Sequence, residues 1–369
     1  SQLYLHSAVR PERHACTMLV PCAAPYVRVL CSLWAPPLAL PTPACAAYQV
    51  ICERALVGSY LGPRADYAEM LEMCRFGDEH GFAGVVLSEH HGSEDGFMSA
   101  PLVVAAGVLG ATRNLFCSVS ALLLPLHEPL RVAEDIAAID LMAPGRISVV
   151  VGVGYRDEEF TMFDRDRTRR GRATDEGLAT MLEAWKGEPF VVDGRTAWVT
   201  PRPTSDPHSL LAVGGSVEVS AHRAARHHLS FVPAVHDPEL EAAYLAESAR
   251  VGHETPFCMM PSGPGLVLVT RDPDALWDRI GGNLLYDARA YASWQKSDQR
   301  TSWQVDATDL ATLRAGGQHA ILTPEECVDL IRKTGAAVSH PLCGGIDPAI
   351  GWESLQLMAD EVLPALAAG

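Results

Sequence analysis

The residues best suited to chemistry sit at the ends of short apolar runs. Ser88-Glu89-His90-His91 follows the run Phe82 to Leu87. A carboxylate beside two imidazoles can move protons near neutral pH. A polar strand cap, or half a metal site, would read the same way. Neighbouring side chains on an extended segment point to opposite faces, so both histidines do not readily face one ion. His90 is the candidate catalytic residue. A second group is Gly152-Val153-Gly154-Tyr155, followed by Asp157-Glu158-Glu159-Phe160. Glycines at a strand end let a flat ring approach the backbone; a plain turn needs them too. A third is Gly214-Gly215-Ser216, which leads into a helical stretch. Free N–H groups and the helix dipole there make a candidate phosphate cradle, with Ser216 and Ser220 as supporting donors. An ordinary N-cap has the same composition. A fourth, Ser120 to Pro129, is a strand end followed by a turn bracketed by Pro125 and Pro129. Its composition says only that it is a loop.

These groups need a scaffold that brings strand ends together. From about residue 48, apolar runs alternate with helical stretches. Strands are expected at Tyr48–Cys52, Phe82–Ser88, Leu115–Leu124, Arg146–Gly152, Leu210–Val213, Leu229–Val232, Leu266–Val269 and Ala336–Leu342. Helices are expected at Asp66–His80, with Gly81 as its C′ residue, then Pro101–Ala111, Pro129–Met142, Thr168–Lys186, Ser216–His227, Pro238–Val251, Asp272–Leu285 and Trp352–Leu366. Unbroken apolar runs fit parallel strands covered on both faces. Strict alternation fits an α/β fold, here a (β/α)8 TIM barrel over residues 46–369 with an insertion at about 286–318 before the last unit. Residues after each strand would then meet at one mouth. An open doubly wound sheet is the alternative, weakened by the lack of a GxGxxG after the first strands. Residues 1–45 read as an extension without assigned chemistry. They are apolar from Tyr26 but hold Pro36, Pro37, Pro41 and Pro43, which suits a secretory signal poorly.

The chain has 369 residues, 48% apolar, with a formal net charge of -16. That charge argues against nucleic acid or an anionic membrane as partner, since both need a positive face. The run Arg165, Arg167, Arg169, Arg170, Arg172 is interleaved with acids and reads as a solvated, salt-bridged helix start. None of the ten cysteines forms a CxxC pair, which points to a reducing, cytoplasmic setting and to no metal site.

Taken together, the motifs resemble those of the bacterial-luciferase-like flavin-dependent monooxygenases. The resemblance is carried by Ser88-Glu89-His90-His91, Leu124-Pro125-Leu126-His127-Glu128-Pro129, Asp140 to Arg146, Gly152-Val153-Gly154-Tyr155, Glu159, Gly171-Arg172, Gly214-Gly215-Ser216 and Arg223-Ala224-Ala225, in that order. It implies FMN over the barrel mouth, with His90 as an acid/base near the ring. It implies a cis peptide at Ser120-Ala121 under the ring and phosphate contacts at Gly214, Gly215 and Ser216. Glu89, Gly152, Val153 and Gly154 complete the expected cofactor contacts. Reduced FMN from a separate flavin reductase would react with O2, on a small organic substrate, in a homodimer. The family's usual first strand is blurred in Tyr48 to Tyr60.

A deazaflavin-dependent dehydrogenase transferring hydride is the nearest alternative. A non-catalytic flavin-binding protein would leave every turnover assay unchanged in His90→Ala. A metal hydrolase using His90, His91 and His127 would show stoichiometric zinc. The long segment 286–318 is expected to contribute a lid.

Overall fold

The computed structural model describes residues 47–51, 67–295, 300–302, 305 and 307–368. The expected extension 1–45 and part of the expected insertion lie outside them. The chain runs β1 (Ala47–Ile51), α1 (Tyr67–Glu79), β2 (Gly84–Leu87), α2 (Pro101–Ala111), β3 (Phe116–Leu123), α3 (Pro129–Met142), β4 (Ile147–Gly152), α4 (Asp157–Met162) and α5 (Arg170–Ala184). A hairpin of β5 (Phe190–Val192) and β6 (Arg195–Ala197) follows, then α6 (Pro207–Leu210), β7 (Leu211–Gly215), α7 (Glu218–Arg226), β8 (Ser230–Pro233) and α8 (Pro238–Val251). The last part holds β9 (Leu266–Val269), α9 (Pro273–Trp294), α10 (Leu310–Gly316), β10 (His319–Leu322), α11 (Pro324–Thr334), β11 (Ala336–Ser339), α12 (Pro348–Leu357) and α13 (Leu363–Ala367).

Among the described residues, nine strands form one parallel sheet in the order β10-β9-β11-β1-β2-β3-β4-β7-β8. Parallel α/β architecture is therefore as expected. The sheet order is consistent with the expected (β/α)8 barrel without showing its closure: β8 and β10 end the sheet, and no pairing joins them among the described residues. β8 carries one further parallel bridge, Phe231 to Cys258. No helix among the described residues is long and apolar enough to cross a membrane.

Local sequence explains the elements nearest the site. α1 buries Met70, Met73, Cys74 and Gly77, the i, i+3, i+4, i+7 stripe of an amphipathic helix. The closing helices return to it: the Trp352 indole donates to Glu69, and β11 pairs with β1. Asp140 and Arg146, within one of the motifs, work structurally at the start of β4. Arg146 donates to the carbonyls of Leu109, Thr112 and Leu115, satisfying orphan acceptors at the end of α2 and beyond. Asp140 is fully buried and accepts from Gly145, Thr204 and Ser205. Gly171 and Arg223 join α5 to α7: Arg223 donates to Gly171 O and Asp175.

Three expectations need correction. The insertion does not begin at 286, because α9 continues to Trp294 and buries Leu284 and Ala288 on the same helical stripe. β10 is an additional strand, on the far side of β9 from β11. The closing helix starts at Pro348 rather than Trp352 and passes through a π-turn at Met358–Val362.

Candidate active site

Register brings the candidate residues to one edge of the sheet. Leu87 pairs with Val119, Leu123 with Gly152, Val151 with Val213, and Gly214 with Val232. The strands are parallel, so Ser88–His91, Leu123, Gly152–Gly154 and Gly214–Ser216 all follow strand ends on the same side. The β3–β4 pairing skips Ala121 between Ser120 and Leu122, and the Ser120–Ala121 peptide is cis. A Cβ on Gly152 would stand 2.9 Å from the Ala121 Cβ, so the irregularity in β3 requires glycine across from it.

His90 is buried, at 6% exposure, and its two ring nitrogens have different partners. Nδ1 lies 2.9 Å from Glu159 Oε1, and Nε2 lies 3.2 Å from the Tyr155 hydroxyl. Glu159 is fully buried in the first turn of α4. Its Oε1 also accepts from the His91 backbone N–H at 3.0 Å and from Arg156 Nη1 at 3.2 Å. Rings surround the imidazole: Phe97 at 4.9 Å, Trp294 at 5.1 Å, Tyr155 at 5.5 Å and Tyr291 at 6.1 Å between centroids. Tyr291 and Trp294 come from α9. The Arg156 guanidinium lies 4.4 Å from the centre of the Trp294 ring, within cation–π range.

Glu89, an expected cofactor contact, is bound by its own neighbours. Its Oε1 takes His91 Nε2 at 2.9 Å and His127 Nε2 at 2.7 Å, and its Oε2 takes the Leu123 N–H at 2.6 Å. Burial pushes this carboxyl up, but hydrogen bonds from His127 and His91, the charge of His127 and the Leu123 N–H outweigh it. They hold the carboxyl down at about 2. Glu89 is an anionic brace that ties the ends of β2 and β3 together. His91 and His127 share that brace, while His90 turns to Glu159. Among the described residues no group of three or more His, Cys, Asp or Glu side chains is placed to hold a metal ion.

At the end of β7, Gly215 has φ +150°, and a Cβ there would stand 2.5 Å from the Ser220 Cβ. That close approach seats the start of α7 against the strand, with Ser220 buried and Ser216 partly exposed. Val217 caps α7 without a side-chain hydrogen bond.

A cavity of about 480 Å3 opens beside His90. Its walls are the loop 92–95, residues 156–158, and one face of α9 with Tyr286, Ala290, Ser293 and Trp294. Trp294 and Arg156 thus border both the cavity and the His90 cluster. The buried atoms Arg156 Nε, Glu159 Oε2 and Ser88 Oγ have no hydrogen-bond partner among the described residues. Of these Arg156 lines the cavity, and an unmatched buried polar atom there is what a site completed by a bound molecule or water leaves. With glycines at the ends of β4 and β7, a helix start after Gly215 and a buried acid/base group, these residues fit a flavin.

Sequence reasoning singled out His90 but assigned no role to its partners Glu159 and Tyr155, nor to Arg156, Tyr291 and Trp294. The Asp157-Glu158-Glu159 cluster was itself a signal, since acids gather in the first turn of a helix.

The family described as luciferase-like monooxygenase matches residues 50–338. The chain is 34% identical over 106 residues to the alkanal monooxygenase alpha chain of Photorhabdus laumondii, a match over 29% of this chain and 30% of that protein. The chain spans about half or less of the length of the curated relatives it matches. Two solved structures share its fold. One is the oxygenating constituent of 3,6-diketocamphane monooxygenase from Pseudomonas putida in complex with FMN. It has a TM-score of 0.61 at 18% identity, covering 86% of this chain and 98% of that one. The other is an F420-dependent secondary alcohol dehydrogenase with an F420–acetone adduct. It has a TM-score of 0.61 at 19% identity, covering 86% and 99%. At those identities the two likenesses speak to fold alone. The family match covers most of the chain, and with it the chain belongs to the luciferase-like monooxygenase family.

Proposed function

We propose that this protein is a flavin-dependent monooxygenase that uses reduced FMN and O2 on a small organic substrate. The observation that carries the reading is the position of His90. It is a buried acid/base group, held by Glu159, on the same sheet edge as the glycine strand ends and the Gly215–α7 junction. Gly214, Gly215, Ser216 and the start of α7 would hold the phosphate, with Ser220 behind them. Ser120, Ala121, Gly152, Val153 and Gly154 would lie against the ring. Bound reduced FMN would supply the electrons and the place where oxygen is activated. The chain's own part is to orient the substrate in the cavity, exclude water with Phe97, Tyr291 and Trp294, and hold or move a proton at His90. On the same reading the parallel sheet curls into a (β/α)8-type barrel with β10 as an added strand, and α9 contributes to a lid. A flavin reductase and a second copy of the chain are the expected partners.

A deazaflavin-dependent dehydrogenase is the second reading, favoured by the fold shared with the F420-dependent alcohol dehydrogenase. Titrating the purified chain with FMN and with deazaflavin, oxidised and reduced, separates the two. Binding of reduced FMN with substrate-dependent oxygen uptake is expected. Anaerobic hydride transfer to deazaflavin would favour the second reading, and binding of neither flavin would end both.

A further inference from the structure

We propose that Tyr155 is a second catalytic group of this site: it passes the proton to and from the reacting molecule, His90 relays to it, and Glu159 is the positioning residue behind them. The proposal deepens the flavin-dependent reading and rests on it for the reaction served.

The hydrogen-bond chemistry sets the order of the chain. Glu159 Oε1 accepts from the His91 N–H and from the Arg156 guanidinium, so it faces the His90 nitrogen 2.9 Å away as an acceptor too, and that nitrogen carries the hydrogen. Nδ1 is thereby fixed as the donor. Nε2 is left as the nitrogen that gains and loses a proton, and the Tyr155 hydroxyl lies 3.2 Å from it. Burial sets the direction. Glu159 is fully buried and His90 is 6% exposed, whereas Tyr155 is only half-buried. Phe97 and Trp294 pack around the imidazole and contribute no acid/base group. Among the described residues, the charged and titratable groups facing His90 include Glu159 and Tyr155 from the segment after β4, Arg156 through the shared Glu159 oxygen, and Tyr291 from α9.

In the acid direction the Tyr155 O–H bond breaks and its proton goes to the acceptor. The Nε2–H bond of the His90 imidazolium then breaks, and that proton rebuilds the phenol. His90 ends neutral, with Nδ1–H still on Glu159, and the pair has lost one proton and one positive charge. The base direction is the reverse.

The test is nitrogen NMR on full-length chain labelled at histidine, with His90→Gln to assign the signal, alongside turnover. The expected wild-type spectrum shows neutral His90 protonated at Nδ1. Glu159→Gln keeps an acceptor but removes the charge, and is expected to weaken proton binding at His90 about tenfold or more. Tyr155→Phe keeps the ring, and is expected to move the Nε2 signal and lower turnover about 100-fold with flavin affinity unchanged. Neutral His90 protonated at Nε2, an unmoved titration in Glu159→Gln, or wild-type turnover in Tyr155→Phe would overturn the proposal. If Glu159→Gln does not fold, the wild-type tautomer and the Tyr155→Phe results still decide. The spectra need no flavin, so a chain that bound neither flavin would be recognised separately in the titration above.

Discussion

His90 and Glu159 are 69 residues apart in sequence and 2.9 Å apart in space. The contact joins the end of β2 to the first turn of α4, and it turns an ordinary histidine into one with a fixed tautomer. Replacing His90 with Asn is therefore expected to lower turnover by about 10²- to 10⁴-fold with flavin affinity little changed. Steady-state kinetics and a flavin titration check this. A variant with full turnover would remove His90 from the mechanism.

Glu89 should matter to stability more than to chemistry. Glu89→Gln loses a buried charge braced by two histidines, and is expected to cost about 2–4 kcal/mol in a denaturant titration. The sign with pH follows from its lowered value. The carboxylate contributes fully above its ordinary value near 4.5, and the contribution is lost as pH falls toward about 2. Wild-type Tm should thus fall more steeply than that of Glu89→Gln as pH drops below about 5. Parallel curves would show that the brace carries no linked proton.

The Gly215 junction predicts opposite signs for two substitutions of one type. Gly215→Ala would set a Cβ 2.5 Å from that of Ser220 at φ +150°, and is expected to cost about 2–3 kcal/mol. It should also weaken binding of FMN more than binding of riboflavin, which lacks the phosphate. Gly110→Ala, in α2 with nothing within 4 Å of the new Cβ, is expected to stabilise by about 0.5–1 kcal/mol. Equal effects in thermal melts would contradict the close-approach argument.

Trp294 stands between the cavity and His90. Trp294→Ala is expected to raise KM for the organic substrate about tenfold, a loss of ~1.4 kcal/mol, with flavin affinity unchanged. If flavin affinity fell and KM did not move, the cavity would not be where the substrate sits.

Much of this was legible in the sequence, and the exceptions have physical reasons. Parallel strands such as Ile147–Gly152 announce themselves as apolar runs because both faces are covered. The hairpin was legible but missed: Asp193-Gly194 between Val192 and Arg195 is a two-residue turn signal, and both residues have positive φ. β10 is four residues long and, among the described residues, joins the sheet only through β9, so no local pattern marks it. α9 was cut short because its Tyr- and Trp-containing end resembles a loop in composition, though its buried positions keep helical spacing. His90 could be picked out by type and place. Its partners could not, because a pairing across 69 residues leaves no trace in local spacing.

The cavity wall on α9 is built from Tyr286, Ala290, Ser293 and Trp294, which recur at helical intervals along a single face. A change of substrate preference therefore has a short route. On the proposed reading, substitutions at Tyr286, Ala290 and Ser293 alter the size and polarity of the chamber away from the proton-handling trio, whereas Trp294, which also packs on His90, changes both together. Three of the four wall positions are thus open to tuning by selection or laboratory evolution without rebuilding the trio.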